Sequence, residues 1–136
     1  MNCYLNVVNM KNYLFSGYIK KIHLTSTIGE LNIYSGHTPL LATIQYGPLT
    51  IVTKEEKKIY VYLSQGILEV QPNIINILSE QAILGSQLNK KKILKKKKII
   101  EKNLVMCNSY QKNIDLKTKL KKNILKLKTI NIMNAK

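Results

Sequence analysis

Between residues 49 and 80 the chain changes character every few positions. "LTIVTKEEKKIYVYL" (49–63) is two β-rich runs around a charged tip at residues 54–58, the layout of a hairpin with a solvated loop. "GILEVQPNIINILSE" (66–80) is a second pair, broken at Gln71, Pro72 and Asn73, where proline presets φ and asparagine tolerates a turn. Within it Leu68 and Val70 face one way and Glu69 and Gln71 the other, the alternation of a half-buried antiparallel sheet. Earlier runs, "YLNVVN" (4–9), "GYIKKIHLTS" (17–26) and "GELNIY" (29–34), are also short, β-branched or aromatic, and set apart by turn residues. Strands at this spacing predict a β-sandwich or barrel.

Beyond residue 86 the period changes. In "NIDLKTKLKKNILKLKTIN" (113–131), Leu116, Leu120, Ile124, Leu127 and Ile130 recur at steps of three and four, which aligns them on one helical face. Residues 87–105 are also helix-compatible, with a broader apolar arc of Leu88, Ile93, Ile99, Ile100 and Leu104. "CNSYQKN" (107–113) supplies a polar connection, so two antiparallel helices are expected. The predicted architecture is an N-terminal antiparallel β-sandwich over residues 1–85 and a C-terminal two-helix antiparallel hairpin over 86–136, with the boundary at residues 84–86.

Charge follows the same division. The formal charge is +15 on 136 residues, yet residues 1–87 hold six lysines against five acids, while the rest hold sixteen lysines against Glu101 and Asp115. Such asymmetry points to two modules with different partners. The chain has no arginine and abundant lysine, isoleucine and asparagine, as a strongly AT-biased genome would produce. Lysines at helical contact spacing, such as Lys91 and Lys95, repel by about 0.2–0.5 kcal/mol per pair, so the hairpin gains from an anionic partner or from docking. Cys3 and Cys107 have no metal-ligand spacing and read as reduced thiols. The N-terminus lacks a signal-peptide pattern and no apolar run reaches membrane-span length, so a soluble protein kept inside the cell is expected.

Catalytic patterns are missing: there is no phosphate-binding glycine loop, nucleophile elbow or paired-histidine zinc motif. No metal or cofactor site is expected. His23 lies in a strand-like run and reads as a surface or packed residue. His37, bracketed by glycine and proline in "YSGHTPLL" (34–41), lies in a loop, but neither histidine has an acid placed by spacing to orient it. Glu55 and Glu56 at the hairpin tip read as solvated charges, and the tyrosines of "IYVYL" as core or cross-strand packing.

Taken in order, "FSGYIKKIHLTSTIGELNIYSGHTPLLATIQYGPLTIV" (15–52) and "YLSQGILEVQPNIINILSEQAILGSQL" (62–88) resemble the epsilon subunit of the F-type ATP synthase of bacteria and chloroplasts. The matching pieces are F-S-G, G-E-L-x-I-x-x-G-H-x-P-L-L, the G-P-L hairpin entry, and Y-L-S-x-G-I-L-E-V followed by a turn and a strand. The resemblance spans essentially the whole chain, because that family also joins a β-sandwich to a helical hairpin. It implies a non-catalytic subunit of the rotating central stalk, bound to the gamma subunit and seated on the membrane rotor ring. Its implied location is peripheral, on the cytoplasmic face of the bacterial inner membrane. It also implies ring contacts at Glu30 and His37, and a hairpin that can extend toward the catalytic beta subunit and hinder ATP hydrolysis. On that view Lys90, Lys91, Lys92 and Lys95 face protein carboxylates. Many bacterial members carry I/L-D-x-x-R-A at the start of the first helix, where ATP binds. Here Leu88 is followed by Asn89, and Lys92 stands for the arginine. Asparagine lacks the charge and lysine the planar fork, so no tight ATP binding is expected.

A second reading of the basic tail is a small nucleic-acid-binding adaptor. Salt separates the two: 6–10 phosphate contacts lose about 10³–10⁵ in affinity between 50 and 200 mM salt.

Overall fold

The computed structural model of the chain describes residues 2–135. Nine strands come first: β1 (Cys3–Val8), β2 (Tyr13–Ser26), β3 (Gly29–Tyr34), β4 (Leu40–Ile44), β5 (Gly47–Thr53), β6 (Lys58–Leu63), β7 (Gly66–Val70), β8 (Ile74–Ser79) and β9 (Ala82–Leu84). A 3₁₀ turn (Gly85–Gln87) leads into helices α1 (Lys90–Met106) and α2 (Tyr110–Asn134). The expected β-sandwich and helical hairpin are therefore both present. The connection between the helices is shorter than the polar stretch 107–113 suggested, because α2 already begins at Tyr110. Strand β4 and the three-residue β9 were not foreseen.

The sheet runs β1-β8-β7-β4 in one layer and β3-β2-β5-β6-β9 in the other. Strand β2 joins them: its first half pairs with β1 and its second half with β3 and β5, with a register irregularity between Ile19 and Lys21. A strand that changes sheets through a bulge is how a sandwich turns its corner. All pairings are antiparallel except β1 with β8, which is parallel and departs from the all-antiparallel expectation. Alternate residues point inward: Leu5 and Val7, Ile22 and Leu24, Leu49 and Ile51, Val61 and Leu63, Leu68 and Val70, Ile75 and Ile77 are all buried in one core. The period-2 pattern of these strands is thus the pattern of that core.

The Y-L-S-x-G stretch has a structural reason. Ser64 and Ser79 are buried where β6 leaves one layer and β7 enters the other. The Ser64 hydroxyl accepts from the Gln81 N–H at 2.7 Å, and the Ser79 hydroxyl lies within hydrogen-bond distance of the Ser64 and Gln81 carbonyls. Buried backbone groups at a strand crossing need such partners. Gly66 pairs with Ser79 at the same place, and a Cβ there would stand 2.0 Å from the Leu78 carbonyl oxygen, so only glycine fits.

Helix α2 lies on β5, β6 and the 3₁₀ turn, while α1 packs chiefly on α2. The face that α2 turns to the sheet is Lys122, Lys126 and Met133, not the leucine stripe. The Lys122 Nζ sits 5.3 Å from the Tyr46 ring centroid and the Lys126 Nζ 5.4 Å from that of Tyr62. Met133 closes on Gly85, where a Cβ would come within 3.1 Å of both the Met133 sulfur and the Tyr60 carbonyl oxygen. Ile130 is buried as expected, but Ile124, expected on the same face, is exposed, and Asn123 and Thr129 are buried as well. The reason is that α2 has two contacts to satisfy. At 100° per residue its stripe through Leu116, Leu120 and Leu127 lies about 120° around the helix from the stripe that meets the sheet, and Ile124 falls outside both.

Candidate functional site

Strand register lines up residues that sequence spacing leaves far apart. On the outer face of the β1-β8-β7-β4 layer, Val8 pairs with Leu78, Leu78 with Ile67, and Ile67 with Thr43. Leu78 and Ile67 are half exposed, and Met10 beside them is 82 % exposed. Leu41, 72 % exposed, and Ile28 in the Thr27–Ile28 turn line a shallow depression with Thr43 and Ile67 and extend the row. Aliphatic side chains at this exposure, contiguous across four strands, form a patch of the kind that marks interaction surfaces. Helix α2 leaves this layer uncovered, since its sheet contacts are to β5 and β6.

Two residues along each strand runs a polar row. The Ser16 hydroxyl donates to Asn6 Oδ1 at 2.9 Å, Asn6 Nδ2 to Asn76 Oδ1 at 3.1 Å, and Asn76 Nδ2 to Glu69 Oε1 at 3.0 Å. The chain of amides fixes the orientation of the Glu69 carboxylate beside the apolar row. Beyond it Tyr4 and Tyr18 meet edge to face, with centroids 5.1 Å apart.

Glu30 and His37 are placed by β3 and the loop after it. Glu30 is exposed in β3 beside the Thr27–Ile28 turn, so the G-E-L segment is strand and not loop. Its Oε1 lies 4.0 Å from His23 Nε2, while His23 Nδ1 and Asn32 Oδ1 are 2.9 Å apart. His23 therefore does have an acid to face, contrary to the reading from spacing. The pair forms diagonally across β2 and β3, where His23 is opposite Asn32 and Glu30 opposite Thr25. His37 is half-buried past the other end of β3. Its Nδ1 donates to the Thr38 carbonyl at 2.7 Å, and the preceding Gly36 N–H ties the loop to Pro72. The strand from Glu30 to Tyr34, rising about 3.3 Å per residue, separates the two, so the structure does not bring them together.

The hairpin residues are arranged differently. Asn89 caps α1, its side-chain oxygen accepting the Lys92 N–H at 3.2 Å, so this asparagine serves as a working N-cap. Leu88 is half-buried, and Lys90, Lys91, Lys92 and Lys95 are exposed. Three lysines and no acid occupy the first turn, the end where the helix dipole disfavours positive charge. Lys97 makes an i,i+4 pair with Glu101 at 3.8 Å. Under α2, Tyr62 is fully buried with its hydroxyl unpartnered, and burial, helped by Tyr46, pushes its phenol up to about 12. Burial, then Lys96 and Lys122, lower the pKa of the Lys126 amine. Sequence reasoning read Tyr62 as packed but missed Lys126, because a long lysine stem can lie along an apolar surface. Among the described residues there is no cluster of three metal-ligating side chains, and no helix is long and apolar enough to cross a membrane.

Comparison with known proteins agrees with this architecture. Residues 2–85 match the family model of the ATP synthase delta/epsilon chain β-sandwich domain. Among solved structures, a chain of the Euglena gracilis mitochondrial ATP synthase, in its OSCP/F1/c-ring assembly, is similar with a TM-score of 0.77 at 15% identity. That match covers 98% of this chain and 80% of the other. A chain of the Tetrahymena thermophila mitochondrial ATP synthase, from its central stalk and c-ring, gives a TM-score of 0.51 at 15% identity, over 68% of this chain and 70% of that one. At such identity the two structures attest the fold, and the family rests on the match to the sandwich: the chain belongs to the ATP synthase delta/epsilon chain family.

Proposed function

We propose that this chain works in the central stalk of ATP synthase as a binding subunit without catalytic chemistry, and that the outer face of the β1-β8-β7-β4 layer binds the gamma subunit. The observation that carries this is the exposed row from Val8 through Leu78 and Ile67 to Leu41, with Met10 and Ile28 at its ends. An apolar patch beside an oriented carboxylate, Glu69, has the make-up of an interface centre with a polar rim. Glu30 and His37 are assigned to the membrane rotor ring, which requires β3 to lie along the ring surface. The exposed Lys90, Lys91, Lys92 and Lys95 are assigned to carboxylates of the catalytic beta subunit, through which the hairpin hinders ATP hydrolysis. The subunit is then peripheral, on the side of the membrane that carries the catalytic subunits, which in a bacterium is the cytoplasmic face.

The test is capture of the gamma subunit by the tagged chain. Ile67→Lys puts a charge in the centre of an exposed patch without entering the core, and capture should weaken about tenfold or more. Unchanged capture by a folded Ile67→Lys protein would remove this face from the gamma interface. Glu30→Lys and His37→Glu, made separately, test which end of β3 meets the ring.

A further inference from the structure

Ser16, Asn6, Asn76, Glu69 and Leu41 stand directly opposite one another across β2, β1, β8, β7 and β4. The three side-chain hydrogen bonds along this row all run one way, each donor turned toward Glu69: Ser16 to Asn6, Asn6 to Asn76, and Asn76 to Glu69 Oε1. The row stops there, because Leu41 offers no polar side chain. One amide donor leaves a carboxylate with accepting capacity at both oxygens, and Glu69 is exposed. The chain has 22 lysines, yet among the described residues its ion pairs are Lys20–Glu56, His23–Glu30 and Lys97–Glu101, and Glu69 is in none of them.

We propose that Glu69 determines the specificity of this face by taking a cationic side chain, lysine or arginine, from the gamma subunit. This rests on the reading of the face as the gamma interface, and it names what gamma brings to it. Leu41 stands opposite Glu69, and Ile67 and Leu78 lie two residues along on the same face, all three exposed. A partner that covers these aliphatic side chains also takes water from the carboxylate between them.

A carboxylate that loses its water and gains no cation opposes binding, whereas one that is paired and hydrogen-bonded favours the partner carrying the cation over those that lack it. The Asn76 amide already holds Glu69, so the incoming cation meets it with little further ordering of the side chain. A second copy of this chain would also bring lysines, but two chains of formal charge +15 repel each other. Gamma is therefore the source of the cation.

The experiment measures the dissociation constant of the full-length chain for the gamma subunit at low and at physiological ionic strength. Glu69→Gln keeps an oxygen for Asn76 and loses the charge, so binding should weaken about tenfold or more and depend less on salt. Glu69→Lys should weaken it about a hundredfold. Asn76→Ala, which keeps the charge but frees the side chain that carries it, should weaken it about threefold. Leu78→Ser removes apolar contact on the same face and should weaken binding at both ionic strengths alike. If Leu78→Ser weakens binding and Glu69→Gln does not, the face stands and the role of Glu69 is overturned. If neither variant weakens it, the face itself is wrong and Glu69 falls with it. A loss in Glu69→Gln that is the same at both ionic strengths also overturns the proposal, since shape and not charge would then be recognised. So does a loss of self-association in Glu69→Gln with gamma binding unchanged, which would give the site to a second copy.

Discussion

The sandwich and the hairpin are stabilised in different ways. In the sandwich, one core of aliphatic side chains from Leu5 to Ile77 is buried, with Phe15, Leu31, Leu40 and Ala42 packed at its margin, and the buried serines at the strand crossing have partners. The hairpin docks through two lysines laid over tyrosine rings, a buried threonine bonded only to its own helix at Leu125, and a tyrosine hydroxyl with no partner. Cation–π contacts of this kind contribute about 0.5–2 kcal/mol each, against the cost of desolvating Lys126 beside Lys96 and Lys122. The difference teaches where the fold is decided: the sandwich specifies the structure, and the hairpin is an attachment whose hold depends on a few side chains.

That contrast can be broken most forcefully from the core. Leu5→Ala, at a site with no exposure, should cost about 2–5 kcal/mol in urea unfolding and loosen hairpin and sandwich together. Gly66→Ala forces a methyl group against the Leu78 carbonyl and should cost on the order of 3 kcal/mol by the same measurement, again with the hairpin loosened alongside the sandwich. Ser64→Ala removes the acceptor of the Gln81 N–H and should cost about 1–3 kcal/mol.

Smaller effects sharpen the other side. Glu56 sits at φ 66 in the β5–β6 turn, a left-handed conformation that a side chain disfavours, so Glu56→Gly should stabilise the sandwich by about 1 kcal/mol despite losing the exposed contact with Lys20. The hairpin contact can be addressed by pH. The Tyr62 phenol, ordinarily near 10, is held at about 12 when α2 is docked, so the docked state keeps a proton that the released state gives up. Its contribution is fully present below pH 10 and is lost as pH rises from about 10 to about 12. Stability to urea should fall over that range by more in the natural chain than in Tyr62→Phe, which has no phenol to ionise there.

Much of the sandwich was legible because its strands alternate with a period of two and are punctuated by proline, glycine and charged tips. The β5–β6 tip, the β7–β8 turn at Pro72 and the start of β3 at Gly29 all lie where these signals put them. Strand β4 was not legible: "LLATI" does not alternate in hydrophobicity, and its outward Leu41 is as apolar as its inward neighbours. The same ambiguity hid the exposed row, which exists only once the registers of β1, β8, β7 and β4 are known. Likewise the His23–Glu30 approach is a diagonal cross-strand pair that spacing along one strand cannot reveal. The helices were found by their period, but the face of α2 that meets the sheet was not, because lysine stems and a threonine do there what leucines were expected to do.

The parallel pairing of β1 with β8 bears on how the protein is made. Asn6 and Asn76, joined by a hydrogen bond, are 70 positions apart in the chain. During synthesis β1 can pair with β2 early, but its other edge stays open until residues 74–79 have left the ribosome. Contacts of such separation slow folding and leave a strand edge available to wrong partners meanwhile. The lysine-rich hairpin follows the sandwich in the chain, and its net charge repels that of other copies.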